Sequence, residues 1–425
     1  MQLKEGYKQT EIGVLPEDWD TPELGGLGSF KNGVNKDKES FGFGFPFVNL
    51  MDVFGKSILD ERVELELLDS NSIEHELYGL KRGDVLFVRS SVKPSGVGLT
   101  CLIPNNLKKT VFSGFLIRYR ENQKINLDFK RYCFYEERFR QRIIASSTVS
   151  ANTNINQEVL KKIRVALPPT LEEQQAIATA LSEVDALITK IDKLITKKKT
   201  IKQGTMQQLL KSPAQGGKRL AGFDGEWVEK ELGEVLQVIG GGAFKSVDAS
   251  TSGIRWLKIA NVGINKVSWN EESYLPESLI TENRQFLLQE GDYVVALTRP
   301  ILRKELKITQ LKKEDTPALL NQRVGKLEAI SGNDIDFIYF LLQKEQVIES
   351  LLQSMAGTDP PNLSNQGIYT IKCIVSTCHN EQKAIALVLL DMDKDLKNLE
   401  KKKSKYIRIK QGMMQELLTG KTRLI

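Results

Sequence analysis

Residues 173–210 read EQQAIATALSEVDALITKIDKLITKKKTIKQGTMQQLL, and residues 381–418 read EQKAIALVLLDMDKDLKNLEKKKSKYIRIKQGMMQELL. Neither stretch contains proline. Both carry apolar residues about 3.5 apart: Leu181, Val184, Ile188, Ile191 and Ile195 in the first, and Leu389, Met392, Leu396 and Leu399 in the second. That period is a coiled-coil seam, so each stretch is predicted to be one helix, residues 172–210 and 380–418, roughly 50 to 60 Å long at 1.5 Å per residue. Each seam weakens along its length. Lys198 and Lys403 fall on core positions, and the shared IKQG (Ile201–Gly204, Ile409–Gly412) sets a glycine inside each helix, at a cost of about 1 kcal/mol against alanine. An apolar stripe of that length does not stay in water, and the obvious partner for each helix is the other.

The two helices close two longer units, because the chain matches itself at an offset of 208 positions. Trp19 meets Trp227 inside EDWDTPELG and GEWVEKELG, Gly83-Asp84 meets Gly291-Asp292, Leu127-Asp128-Phe129 meets Ile335-Asp336-Phe337, and Asn154 meets Asn362. Across the two quoted stretches 17 of 38 positions are identical without a gap, which chance does not produce. Ahead of each helix, residues 14–165 and 222–375 hold short β-type runs broken by Gly, Asn and Pro. DVLFVRS and DYVVALT follow the Gly-Asp turns as strands, and FKRYCFYEERFRQRII and FIYFLLQKEQVIESLLQ read as helical. The expected fold class is α+β: two mixed α/β globular domains joined by two long antiparallel helices forming a coiled coil, with internal pseudo-twofold symmetry. Such pairing sets the globular heads at opposite ends of a molecular ruler.

At 425 residues, 40% of them hydrophobic and 27% charged, the chain has the composition of a multidomain globular protein. A dense apolar run such as Ile385–Leu390 is six residues, far short of the roughly 18 that span a membrane. The charged opening Met1–Lys8 lacks the apolar core of a signal peptide, so a cytoplasmic protein is predicted. The net charge of +6 and pI near 8.8 raise nucleic-acid binding only modestly when spread over so many residues. Cys101, Cys133, Cys373 and Cys378 show no CxxC spacing, and the cluster Cys373, Cys378 and His379 lies in an alternating, strand-like run. Structural thiols are expected there, with no metal and no disulfide.

Two motifs point toward catalysis and fall short of it. Asp359-Pro360-Pro361-Asn362 resembles the loop with which adenine methyltransferases hold a flipped base, yet it lacks the closing aromatic and has no glycine-rich cofactor loop upstream. Its counterpart in the first copy, Ala151-Asn152-Thr153-Asn154, reads as a structural turn entering a strand or helix. Gly420-Lys421-Thr422 echoes the end of a phosphate-binding loop, but Gln415 stands where its first glycine belongs. With only His75 and His379 in the chain, no Ser/His/Asp set is evident, and an enzyme would need other machinery.

The opening YKQTEIGVLPEDW (Tyr7–Trp19), the block LPPTLEEQQAIATALSEVDALI (Leu167–Ile188), KQGTMQQLL (Lys202–Leu210) and KQGMMQELLTGKTRL (Lys410–Leu424) resemble those of the Type I restriction-modification specificity subunits. The resemblance covers the whole chain. It departs most in the second copy, where CHNEQ (Cys378–Gln382) replaces the proline-rich entry to the helix. It implies target-recognition domains at residues 1–165 and 213–375, and helical regions at 166–212 and 376–425. It further implies that the chain has no catalysis of its own, that each recognition domain reads one half of a bipartite double-stranded DNA target, that the helical regions dock two methyltransferase subunits, and that two restriction subunits complete the assembly. The cofactors belong to those partners: S-adenosylmethionine to the adenine-N6 methyltransferase, ATP and magnesium to the restriction subunit, and none to this chain. A stand-alone bipartite DNA-binding protein and a coiled-coil scaffold are the alternatives.

DNA sequence is read by side chains on base edges, Arg on guanine and Asn or Gln on adenine, while Lys, Arg and small hydroxyls hold phosphates. Such groups belong on exposed loops of a rigid sheet. In the first copy the candidates are Lys31, Asn32, Lys36 and Lys38 in the loop KNGVNKDKES, and Arg89, Ser90, Ser91 and Lys93 in RSSVKPSGVG. In the second they are Lys245 and Ser246 in GGGAFKS, and Arg299, Arg303 and Lys304 in TRPILRK. Polar loops at Ser146–Thr148 and Ser354–Thr358 have less support. Equivalent places hold different residues, as two heads reading different sequences require. The lysine runs Lys197–Lys199 and Lys401–Lys403 lie at matching places on the helices, where solvation and the helix dipole explain them.

Overall fold

The computed structural model describes residues 5–59, 62–357 and 359–425. The first four residues of the charged opening and Thr358 of the loop Ser354–Thr358 lie outside the described residues. The chain forms two compact units, Met1–Asp192 with Lys401–Ile425, and Lys193–Glu400.

In the first unit the Gly-Asp turn starts the central sheet. Gly83 takes φ 90°, a conformation that suits glycine, and Asp84 accepts a hydrogen bond from the Lys81 amide at 2.7 Å. The chain then enters one strand of a four-stranded antiparallel sheet formed by β1 (Gly28–Asn32), β2 (Val85–Val88), β3 (Thr100–Leu102) and β4 (Leu116–Glu121) in the order β1-β4-β2-β3. Alternation along β2 explains its unbroken apolar run. Val85 and Phe87 face a core with Phe30, Tyr119, Phe134 and Phe139, whereas Leu86 and Val88 face a second core with Val48, Ile103 and Phe112. Both faces of the strand are dry, so neither can be polar.

The second unit repeats this plan at the same offset. β5 (Leu236–Gly240), β6 (Tyr293–Ala296), β7 (Ile308–Gln310) and β8 (Val324–Ala329) pair in the order β5-β8-β6-β7. Gly291 takes φ 93°, and Asp292 accepts from the Gln289 amide at 2.8 Å. Tyr293 and Val295 join one core and Val294 and Ala296 the other.

The helical stretch expected after Phe129 is two helices, α1 (Lys130–Cys133) and α2 (Glu137–Ala145). Glu136 leaves the helical region at ψ 136° and its carboxylate accepts from the Arg138 and Phe139 amides, which caps a new helix instead of continuing the old one. Its counterpart is likewise split, into α4 (Ile335–Leu341) and α5 (Glu345–Ser354), at Lys344 with ψ 137°. Periodicity shows the apolar face of both pieces and misses the break between them.

The long helices are α3 (Leu171–Leu209) and α6 (His379–Leu417), 39 residues each, and α6 starts at His379 without the proline-bearing entry that precedes α3. A glutamine in each first turn ties the helix to its head. Gln174 accepts from the Asn126 amide at 2.7 Å and donates to the Pro168 carbonyl at 3.1 Å. Gln382 accepts from the Asp334 amide at 2.8 Å and donates to the Ser376 carbonyl at 2.7 Å. The glutamate before each is buried against an arginine. Glu173 meets Arg423, which also grips Asp18. Glu381 takes a bidentate pair from Arg219 at 2.8 and 2.9 Å. Burial pushes the Glu381 carboxyl up, and the hydrogen bonds from Arg219 and Ser376 more than reverse it, holding the group below the usual carboxylate range.

Within the first unit Asp185 pairs with Lys410 at 2.7 Å and Asp192 with Lys403 at 2.6 Å, so the two helical segments there run antiparallel. Within the second, Lys198 pairs with Asp395 at 2.5 Å and Lys202 with Asp393 at 2.6 Å, again antiparallel. The lysines that interrupt the seam are thus neutralised by acids of the facing helix. Lys410 also lies over the Tyr132 ring at 5.5 Å, and Lys202 over the Phe340 ring at 5.2 Å. The seam residues Val184, Ile191, Ile195 and Leu396 are buried, Ile188, Met392 and Leu399 are half-buried, and Leu181 and Leu389 belong to the cores of the heads. No described helix is long and apolar enough to cross a membrane.

Candidate nucleic-acid interface

In the first head, Lys31 and Asn32 lie inside β1, opposite Arg118 and Ile117, not in the loop expected for them. The ladder with β4 runs further than the sequence pattern suggests, and the Lys31 ammonium sits 5.3 Å over the Tyr78 ring. Lys36 is held by Glu74 at 2.9 Å, while Lys38 is exposed. Arg89 leaves β2 and donates to the Gly114 carbonyl at 3.2 Å. Ser90 and Ser91 form a two-residue strand against Thr153-Asn154, which in turn pairs with Thr148–Val149, so this edge is a small sheet and not a free loop. Lys93 is exposed just before a turn of 3-10 helix at Pro94–Gly96. Large apolar side chains stand out elsewhere on this head: Met51 is 74% exposed, Val92 82%, Phe115 57% and Val149 75%.

In the second head, Lys245 and Ser246 are exposed, with the Lys245 amide bonded to Asp248 at 2.6 Å. The segment TRPILRK leaves β6 through Thr298, whose hydroxyl donates to Asn362 at 2.9 Å. Thr298 and Asn362 are bridged as strand partners, so the segment resembling a methyltransferase loop serves here to close the sheet edge. Arg299 has φ 48°, and its amide donates to the Pro361 carbonyl at 2.7 Å. Arg303 and Lys304, at φ 53° and 64°, are the two turn residues of a hairpin between Ile301–Leu302 and Glu305–Leu306. Two successive positive φ values make a type I′ turn, which normally calls for Asn or Gly, and cations at such positions are strained.

Beside that hairpin lies a cleft of about 310 Å³ lined by Ile259, Ala260, Thr298, Arg299, Lys307, Arg323 and Pro360. Three of the seven are cations and none is acidic. Burial, with Arg299 beside it, holds the Lys307 ammonium below the usual lysine value. Sequence reasoning found Arg299 and missed Lys307 and Arg323, which reach the cleft from the start of β7 and the turn before β8. Comparing the copies gives the one available signal: 208 residues earlier stand Leu99 and Phe115, so the two positions gain charge only in the second head.

The family described as the Type I restriction modification DNA specificity domain matches the chain twice, at residues 16–203 and 224–408. The MjaVIII specificity subunit of Methanocaldococcus jannaschii is 29% identical over 99% of this chain and 97% of its own length. The EcoAI specificity subunit of Escherichia coli is 34% identical over 126 residues, 29% of this chain and 21% of its own. The crystal structure of an S subunit from M. genitalium superposes with a TM-score of 0.59 at 16% identity, covering 98% of each chain, which shows the shared fold. A chain from a study of complex assembly and conformational transition in the type I system gives 0.55 at 14% identity, covering 96% of this chain and 99% of that one. The duplicated heads, the helix that closes each and a family match repeated at the same offset converge, and the chain belongs to the specificity subunits of the Type I restriction-modification systems.

Proposed function

We propose that this chain is the address-reading part of a DNA-modifying complex: residues 1–165 read one half of a bipartite duplex target, residues 213–375 read the other, and the helical regions 166–212 and 376–425 set the spacing and dock two methyltransferase subunits. The reaction directed is N6 methylation of adenine, with S-adenosylmethionine bound by the partner. Two restriction subunits, using ATP and magnesium, would add cleavage of unmodified DNA. The work is done in the cytoplasm, where the DNA is.

One observation carries the reading. The central strands of the two heads recur at the same offset, while positions just beyond the strand ends diverge sharply: Ser91 against Arg299, Leu99 against Lys307, Phe115 against Arg323. The helices do the opposite and stay alike. A surface that meets the same partner twice is held alike, and a surface that reads two sequences is free to differ. Arg89, Lys93, Lys245, Arg303 and Lys304, on exits and turns of the two heads, are the first residues to test as readers.

Coexpression with a neighbouring methyltransferase gene should give a complex of two methyltransferase chains to one of this protein. Methylome sequencing of a host carrying that pair should show one split motif, absent when this chain is deleted. Exchange of residues 14–165 for those of another family member should change one half of that motif. A complex that methylates without regard to this chain would overturn the proposal.

A further inference from the structure

In the second head, Arg299, Lys307 and Arg323 converge on one recess with no carboxylate in its lining. Among the described residues none of the three side chains has an ion-pair or hydrogen-bond partner. This contrasts with the cations of the helices, where Lys198, Lys202, Lys403 and Lys410 each hold an acid. Three like charges gathered without a counter-ion repel one another, and the cost falls when an anion enters between them. The proton affinity of Lys307 is lowered first by burial and then by Arg299 beside it. Arg299 is held there by backbone in the left-handed region, fixed by its bond to Pro361 and by the bridge of Thr298 to Asn362. A non-glycine residue kept in that conformation by its surroundings is one of the places where strain accompanies function.

We propose that this recess is a clamp for one backbone phosphate of the DNA, and not a reader of bases. The proposal rests on the reading of the chain as a DNA-specificity subunit. The shape decides between the two roles. Base edges lie at the floor of a groove about 8.5 Å deep, so a base reader must protrude, as the Arg303–Lys304 turn does. A phosphate projects from the duplex, so its receptor is concave. The first head lacks these three charges, since Ser91, Leu99 and Phe115 occupy the corresponding positions. The two halves of the target are therefore gripped unequally, with an added sequence-independent hold on the half read by the second head.

The test uses the full complex of this chain with its methyltransferase subunits. Binding is measured against salt on a duplex carrying the methylated motif and on one with the motif scrambled, for wild type and for Lys307→Gln combined with Arg323→Gln. The expected result is weaker binding to both duplexes by the same factor. The slope of log affinity against log salt should be shallower by about 0.9 for each phosphate that is no longer neutralised, and the methylated motif should stay unchanged. Lys307→Arg keeps the charge and should keep the wild-type slope, which guards against a folding defect. An unchanged slope in the double variant, or a methylome in which one base of the second half-site is relaxed, overturns the clamp. Should the wild-type complex itself fail to prefer its motif over the scrambled duplex, the DNA-specificity reading fails first.

Discussion

Replacing Arg219 by alanine isolates what holds the second long helix to its head. The guanidinium makes two hydrogen bonds to Glu381, at 2.8 and 2.9 Å, and a third to the Gly225 carbonyl, while Glu381 is fully buried. Arg219→Ala leaves that carboxylate with Ser376, at 2.5 Å, and the Trp227 indole as its side-chain donors. Removing one partner of a fully buried pair typically costs about 3 to 5 kcal/mol; Arg219 is 23% exposed, so water reaches the vacated side, and with the Ser376 and Trp227 contacts surviving the cost of the stranded Glu381 falls below that range, to about 2 kcal/mol. Urea denaturation at pH 7 followed by tryptophan emission reads it directly, since Trp227, Trp256 and Trp269 all lie in the second unit. Adding Glu381→Gln removes the stranded charge and should restore roughly half of the loss. The sign of the pH dependence follows from the lowered carboxyl. In wild type the pair stabilises fully above the unfolded carboxylate value, about 4.3, and the contribution is lost as pH falls through the lower folded value. In the variant, burial acts with less opposition and raises the carboxyl, so the cost is greatest at neutral pH and fades on acidification. The gap between the two proteins should therefore narrow from pH 7 toward about pH 4. A loss under about 1 kcal/mol at pH 7, or a gap independent of pH, would refute the account of Glu381 as a buried charge that Arg219 compensates.

Gly204→Ala and Gly412→Ala should each stabilise the isolated chain by about 0.5 to 1 kcal/mol, because both lie mid-helix and a Cβ would meet nothing within 4 Å; thermal melts that fall instead would refute this. Gly291→Ala should lose about 1 to 2 kcal/mol from backbone strain alone, since φ is 93° and the space around it is open; a neutral effect in urea melts would show that the turn relaxes. Deleting one heptad from both α3 and α6, about 10 Å of helix, should alter the spacer between half-sites in the methylome and leave the half-site sequences alone. A motif of unchanged spacing would remove the ruler.

The long helices were legible because their information is local. A seam at coiled-coil spacing, the absence of proline and the repeated glutamate-glutamine at each start place α3 and α6 within a residue of their ends. The central strands were legible at the Gly-Asp turns for the same reason. What the sequence hides is anything set by pairing across distance. Lys31 and Asn32 look like loop residues until β4 is seen to extend beside them. Leu181 and Leu389 look like seam residues alone, and they turn out to pack in the heads. The cleft draws its three cations from separate segments, so no run of sequence carries it. Only the comparison of one copy with the other brings Lys307 and Arg323 into view, as positions where the second head departs from the first.

The first unit is assembled from two pieces of chain, and this bears on when it can fold. Leu417 and Leu418 join its core and Arg423 binds Glu173 and Asp18, yet the segment Lys401–Ile425 that carries them is made after the whole of the second unit. The second unit is continuous from Lys193 to Glu400 and has no such wait. At a synthesis rate of about 5 to 20 residues per second, the first head leaves the ribosome roughly 10 to 40 s before its missing piece, with its core lacking Leu417 and Leu418 meanwhile. The order of birth is the reverse of the order of completion, which pulse proteolysis of ribosome-bound chains would register as a first half that stays cleavable until the second is whole.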